Sequence, residues 1–546
     1  MKFNFQQLGF SLLIALLFFM FSSCNESKEV DLIVHNAIVY TVNSQFEKAS
    51  SFAIKDGVFI DVGGEEILEK YKSNNMIDCK GMFVYPGFID SHCHFLEYGL
   101  SKNHADLKGA KSFDEVLIRL KEHAKNKFII GRGWDQNLWI NKDFPDKRKL
   151  DEIFPNIPVV LERIDGHAYL VNQVALDLAG INLNTEVKGG KIIKKNNVLS
   201  GLLVDTAMSL IKAIIPDYTV EVKIQALKEA EKEAFKYGLT TLNEAGLDLK
   251  DFTLIDSLQR SGDLSIKVYG MVNYSKNSLD YFLEKGLFQT NNLTVRSFKV
   301  FLDGALGSRG ASLKKAYSDK RDEYGNLNFS IEEFEELCFR IAKSGFQLNT
   351  HAIGDKANSI VLNSYRKALR GVNDPRWRIE HAQVISKEDF KLINSKIIPS
   401  IQPTQAISDM KWSKERVGKE RIVYSYAYKD LLDWGGKIVL GSDFPVEVMN
   451  PLITFYSAVS RKNLKGFPED GFQIKNKLSR SEALKGMTSW AAFANFEDSR
   501  KGSISIGKYA DFVILKNDIM TIDERYIPNV KVVATIINGK LVYSIN

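Results

Sequence analysis

Eight short apolar runs recur through the chain, at 83–92, 239–245, 266–273, 295–302, 346–351, 376–381, 396–402 and 437–443, with helical patterns between most of them. Short apolar runs bounded by turn residues are buried strands, and strands alternating with helices mark a parallel α/β architecture. Eight such strands predict a TIM-like (β/α)8 barrel, a fold that seats its chemistry at the C-terminal ends of its strands. The gap between the first and second runs far exceeds what a crossover needs, so 96–225 is expected to be an inserted α+β subdomain with strands at 128–131 and 159–162. The barrel itself is then 83–95 plus 226–499.

The two ends differ from this middle. Residues 31–82 hold short alternating strands with turns at Gly57 and Gly63-Gly64, and 500–546 look similar, so a composite β-sandwich from both termini is expected. With 546 residues the chain can bury a large core. Its net charge of +6 is small and dispersed, which gives no reason to propose nucleic acid as a partner. At the start, Met1-Lys2 precedes an apolar run from Leu8 to Phe21 that is short for a membrane span. The run ends in Phe21-Ser22-Ser23-Cys24 and then turns polar. This resembles a bacterial lipoprotein signal over 1–23 with Cys24 lipidated, although Phe21 stands where Leu is usual; an ordinary cleaved signal is the alternative. The implied location is the cell envelope, periplasmic or outer-surface, with membrane contact through the lipid anchor only. Cys79, Cys93 and Cys338 form neither a disulfide framework nor a CxxC zinc pattern.

Chemistry concentrates at the predicted strand ends. His92 and His94 flank Cys93, and side chains two apart on a strand share a face, so both imidazoles can reach one metal. His351 and His381 end two further strands, and Asp443 ends the eighth. Lys299 lies inside the apolar run Phe298-Lys299-Val300-Phe301, where an unpaired ammonium is costly and needs a partner or a modification. Neutral imidazole and carboxylate suit zinc or a similar first-row ion.

This ordered set, His-x-His on strand one, Lys on four, His on five and six, Asp on eight, resembles the amidohydrolase superfamily. The flanking text resembles its family 3, the branch of N-substituted formamide deformylase-like enzymes: Pro86-Gly87-Phe88-Ile89-Asp90-Ser91-His92, Gly133-Trp134-Asp135, Asp165-Gly166-His167, the run from Phe298 to Arg309, His351-Ala352-Ile353-Gly354-Asp355, Glu380-His381, Gly441-Ser442-Asp443-Phe444-Pro445, Gly502-Ser503-Ile504 and Ala510-Asp511-Phe512-Val513. The resemblance implies that His92 and His94 hold one zinc, that His351 and His381 hold a second, and that Lys299 is a carboxylysine bridging the two. It also implies that Asp443 ligates metal, accepts the proton of the attacking water and later protonates the leaving nitrogen. With Lys299 unmodified, a single-metal site would take a carboxylate from Glu244, which is read here as a partner that orients a ligand.

Four residues are expected to contact substrate. Trp134 and Asp135 would line the pocket, a packing role being the alternative for Trp134. His167, in the insertion, would reach over the barrel mouth as a substrate or oxyanion contact. Arg309 would bind a substrate carboxylate or carbonyl, with an ion pair to Asp303 as the alternative. His35, His104 and His123 are expected at the surface. The resulting reading is a metal-dependent hydrolase of linear, small-molecule amides or formamides, with a homodimer compatible. A deaminase or cyclic-amide hydrolase on the same barrel is the enzymatic alternative, and a ligand-binding lipoprotein the non-enzymatic one.

Overall fold

The computed structural model describes residues 27–545; the signal segment 1–23 and Cys24 lie outside them. Eight parallel strands follow one another in sequence order: β1 (Phe88–Cys93), β2 (Leu239–Leu247), β3 (Lys267–Asn273), β4 (Leu293–Phe301), β5 (Gln347–Ala352), β6 (Trp377–His381), β7 (Ile397–Ile401) and β8 (Val439–Leu440). No ladder pairs β8 with β1 among the described residues. The seam closes just beyond β8, where the Asp443 N–H donates to His92 O (2.7 Å) and the His94 N–H donates to Phe444 O (2.8 Å). Asp90 clamps the same seam, accepting from the Ser442 hydroxyl (2.6 Å) and the Ser442 N–H (3.0 Å). Glycine is needed at 441, since a Cβ there would lie 2.5 Å from His92 N.

The helices outside the barrel follow local rules. Ile331–Ala342 starts at a reciprocal Ser330/Glu333 capping box and buries Phe334, Leu337, Cys338 and Ile341, one stripe at helical spacing. Asp355–Ala368 buries Val361, Leu362 and Tyr365, and the Tyr365 hydroxyl bonds the Thr350 hydroxyl of β5 at 2.7 Å.

The run 83–92, expected as one strand, is two. Phe83–Pro86 pairs antiparallel with Phe512–Leu515 and parallel with Ile38–Tyr40, and the barrel strand begins at Phe88. Both halves are buried, so continuous apolarity hides the break. Gly87 marks it, because a Cβ there would meet Thr240 Oγ1 at 2.3 Å. Outside the barrel, a six-stranded sheet draws strands from both ends of the chain and a four-stranded sheet comes from 32–78. Val34, Phe52, Phe59, Phe512 and Ile536 belong to the apolar core these sheets share.

Between β1 and β2 the chain builds a six-stranded mixed sheet in the order Ala105–Asp106, Ile129–Trp134, Val159–Arg163, Ala168–Val171, Val198–Asp205, Gly190–Lys195. Alternate residues feed separate cores on its two faces, Leu161 and Trp134 into one, Val160 and Leu203 into the other.

Candidate metal centre

Five barrel strands deliver side chains to one point. His92 lies in β1 and His94 just beyond it; Lys299 comes from β4, His351 from β5, His381 from β6, and Asp443 from just past β8. Ring centroids lie 5.8 Å apart for His92 and His94, 4.9 Å for His92 and His381, and 4.6 Å for His351 and His381. Asp443 Oδ1 is 3.3 Å from His94 Nε2 and 3.6 Å from His92 Nε2, and Lys299 Nζ is 3.1 Å from His92 Nε2. His92, His381 and Asp443 each offer one ligand atom within 4.8 Å of the others. Two of these residues sit in the left-handed backbone region, His381 at φ 73° and Asp443 at φ 61°. Non-glycine residues reach that region at a cost of about 1–2 kcal/mol, and such strain clusters at functional sites.

Neighbouring groups fix these side chains. His92 Nδ1 pairs with Glu380 Oε2 at 2.5 Å, which turns Nε2 toward Lys299 and Asp443. Arg378, buried beneath, donates from Nη2 to Glu380 Oε2 (3.2 Å) and to the Ser400 hydroxyl (2.8 Å). Glu244 accepts from the N–H groups of Phe95 (2.6 Å) and Leu96 (3.2 Å), and its Oε1 lies 3.9 Å from His94 Nδ1. It therefore backs His94. Asp303 accepts the N–H groups of Ser312 (2.8 Å), Ile353 (3.0 Å) and Gly354 (2.8 Å), which pins the ends of β4 and β5 beside His351.

The electrostatics keep His92, His351 and His381 neutral and the Asp443 carboxylate charged, whereas at His94 the lowering by burial is outweighed by Asp443 and Glu97, which raise it above the usual histidine range. Burial, reinforced by Lys299, pushes His92 down to about 4. Burial and His92 push His381 down to about 3, and burial and His381 push His351 well below the usual histidine range. Burial pushes Lys299 down to about 8 against the opposing charges of Glu380 and Asp443. Burial would raise the Asp443 carboxyl, but His92, His94 and His381 hold it well below the usual carboxylate range.

The donor set fits a metal on its own terms. Among the described residues, the buried Nδ1 atoms of His351 and His381 have no hydrogen-bond partner. Buried polar atoms are normally satisfied, so these two unpaired imidazole nitrogens are available to a metal. Lys299 Nζ donates to His92 Nε2 at 3.1 Å, so the amine is aimed at the same point.

The expected substrate contacts divide. Asp135 lines a cavity of about 420 Å³ at the barrel mouth, next to Arg163, whose Nη2 it accepts at 2.6 Å. Trp134 does not line it. Its side chain is buried in the insertion core and its indole N–H donates to Leu161 O (2.9 Å), because the strand alternation that exposes Asp135 turns Trp134 inward. Arg309 is also turned away: it pairs with Asp319 at 2.8 Å, neither with a cavity nor with Asp303. His167 does reach the mouth, its ring 5.0 Å from that of His351. His104, expected at the surface, is half-buried with Nε2 on the Tyr218 hydroxyl at 2.6 Å. Sequence reasoning assigned no role to Glu380, Arg163 or Asp205. Glu380 had one signal, its place directly before a ligand in a buried strand.

Comparison with known proteins agrees with this geometry. The profile of the amidohydrolase family matches residues 75–543. The chain is 33% identical over 538 residues to Protein LONG AFTER FAR-RED 3 of Arabidopsis thaliana, covering 94% of this chain and 91% of that one. It is 25% identical over 543 residues to N-substituted formamide deformylase of Arthrobacter pascens, covering 94% and 98%. A crystal structure described as an uncharacterized metal-dependent hydrolase from Pyrococcus horikoshii OT3 superposes with a TM-score of 0.74 at 29% identity, covering 90% of this chain and 99% of that one. With the His92–His381–Asp443 cluster, these likenesses support a divalent metal. The chain belongs to the amidohydrolase family and is a metal-dependent hydrolase acting on carbon–nitrogen bonds.

Proposed function

We propose that the protein hydrolyses linear N-substituted amides or formamides at a two-zinc centre. The observation that carries this reading is the convergence of His92, His94, Lys299, His351, His381 and Asp443 from five strands of one barrel. The likeness to N-substituted formamide deformylase supports the substrate class. His92 and His94 would hold one ion and His351 and His381 the other, with Asp443 on the first and Lys299 shared. Lys299 serves as a carbamate: its neutral amine adds to carbon dioxide, the new N–C bond forms and one proton leaves. A buried amine thereby becomes an anion among imidazoles.

When bound, the ions supply Lewis acidity, activating a water and polarising the scissile carbonyl. Asp443, held ionised by its histidines, takes the proton of that water on its carboxylate and passes it to the leaving nitrogen as the C–N bond breaks. Glu380 keeps His92 in the tautomer that leaves Nε2 free. The cavity at the barrel mouth is lined by Leu306, Ile407, Met410, Trp412 and Leu464 together with charged residues such as Asp135 and Arg163, and its apolar part is a seat for the N-substituent. Lys299 disfavours the deaminase alternative, because a single-ion site has no use for a bridging group.

The test is a panel of N-formyl and N-acyl amines with the zinc-loaded protein, beside His351→Ala. Turnover is expected for the protein as it stands, and loss of about half the zinc together with most of the activity for the variant. Full zinc and full activity in His351→Ala would sink the assignment.

A further inference from the structure

The insertion brings a second constellation to the barrel mouth. Ala168–Val171 pairs antiparallel with Val198–Asp205, and Ala168 faces Val204 across the ladder. That register sets His167 beside Asp205, where His167 Nδ1 meets Asp205 Oδ1 at 2.9 Å and the Asp205 N–H donates to His167 O at 3.1 Å. The Asp205 side chain is 2% exposed and its backbone is left-handed, with φ 53°. The His167 ring lies 5.0 Å from His351 and 6.3 Å from Phe301.

The barrel is shaped to receive this pair. In the loop after β4, a Cβ on Gly304 or on Gly310 would lie 2.1 Å from a carboxylate oxygen of Asp205, and a Cβ on Gly307 would lie 2.5 Å from Arg163 Nη1. Arg163 is itself buried and holds Asp135, Asp165 and Gln136. Three glycines of one loop thus make room for two ionisable residues of the insertion. Strained, buried polar groups that no packing need explains point to function.

We propose that His167 is a catalytic residue, donating a hydrogen bond from Nε2 to the oxygen of the scissile carbonyl, and that Asp205 is its positioning residue. This rests on the amide-hydrolase reading above. With Nδ1 engaged by Asp205, Nε2 is the ring nitrogen left to serve the cleft. The arrangement repeats the Glu380–His92 pair across the centre, again with a carboxylate on Nδ1 that fixes the ring. Water adds on the Asp443 side while charge collects on the carbonyl oxygen at the His351 side, where His167 waits. His167 transfers no proton in this role; its contribution is a preorganised donor.

The experiment uses zinc-loaded protein with His167→Ala, His167→Gln and Asp205→Asn. Three readouts are taken: kcat and KM on the panel amide turned over fastest, rescue by free imidazole, and calorimetric affinity for methylphosphonate, a tetrahedral oxyanion, against acetate. His167→Ala is expected to lower kcat by about 10²–10³-fold with KM little changed. Imidazole should restore part of that rate, methylphosphonate should bind about tenfold more weakly, and zinc content should not change. Asp205→Asn should lose about tenfold in kcat, and His167→Gln, which keeps an N–H donor, should fall between wild type and alanine. If His167→Ala does not fold, the Gln and Asn variants decide. Wild-type kcat and methylphosphonate affinity in the folded variants would overturn the proposal, as would a loss confined to KM with no rescue. If no amide is turned over, the substrate reading fails, while the methylphosphonate comparison still settles the role of His167.

Discussion

At the scale of residues, the centre is governed by pairs that orient ligands. Glu380 is fully buried between His92 and Arg378, and burial alone would neutralise it. Arg378 and His92 hold it well below the usual carboxylate range instead. Glu380→Gln should therefore keep the shape but loosen the tautomer of His92, weakening zinc by about 10–100-fold in a chelator-competition titration. Unchanged affinity would mean that Glu380 is only a structural anchor. The six proposed ligands were legible in sequence because each ends, or lies in, an apolar run where a polar residue has no packing reason to be. Trp134 left both lining and packing open, because a tryptophan beside an aspartate looks the same on either face of a strand, and the structure packs it. Asp205 was illegible, since its meaning comes from Gly304 and Gly310, about a hundred positions away.

At the scale of elements, the barrel strands announced themselves by apolar runs between helices, and the insertion by the length of the gap. What the runs do not carry is the break at Gly87, because a strand leaving one sheet and a strand entering another are equally apolar when both are buried. The junctions of the insertion hold a similar surprise. His104, where the chain enters the insertion, bonds Tyr218, where it leaves. Burial pushes His104 down to about 4, with Glu97 opposing. The folded state thus resists a proton that the unfolded chain, near 6.5, accepts readily. This penalty is absent above pH 6.5 and grows as the pH falls to 4, reaching about 3 kcal/mol. His104→Gln should flatten stability between pH 6.5 and 4 in urea melts relative to wild type. Parallel stability curves for the two proteins would contradict it.

At the scale of the whole molecule, the barrel carries the proposed ligands, and the sheet inserted after β1 carries the residues proposed to approach substrate. The glycines of the loop after β4 are the sockets that join them. This division explains why the reaction class was readable while the substrate was not: ligands repeat along strand ends in order, whereas the pocket forms only when distant loops meet. The central claim is that the convergent histidines, lysine and aspartate form one hydrolytic metal centre. Anomalous scattering at the zinc edge, from crystals of the metal-loaded protein, tests it most directly. Two peaks about 3.5 Å apart among His92, His94, Lys299, His351, His381 and Asp443, with carboxylate density on Lys299 Nζ, are predicted. A bare Lys299 and no peak among these residues, in protein that still hydrolyses amides, would contradict it.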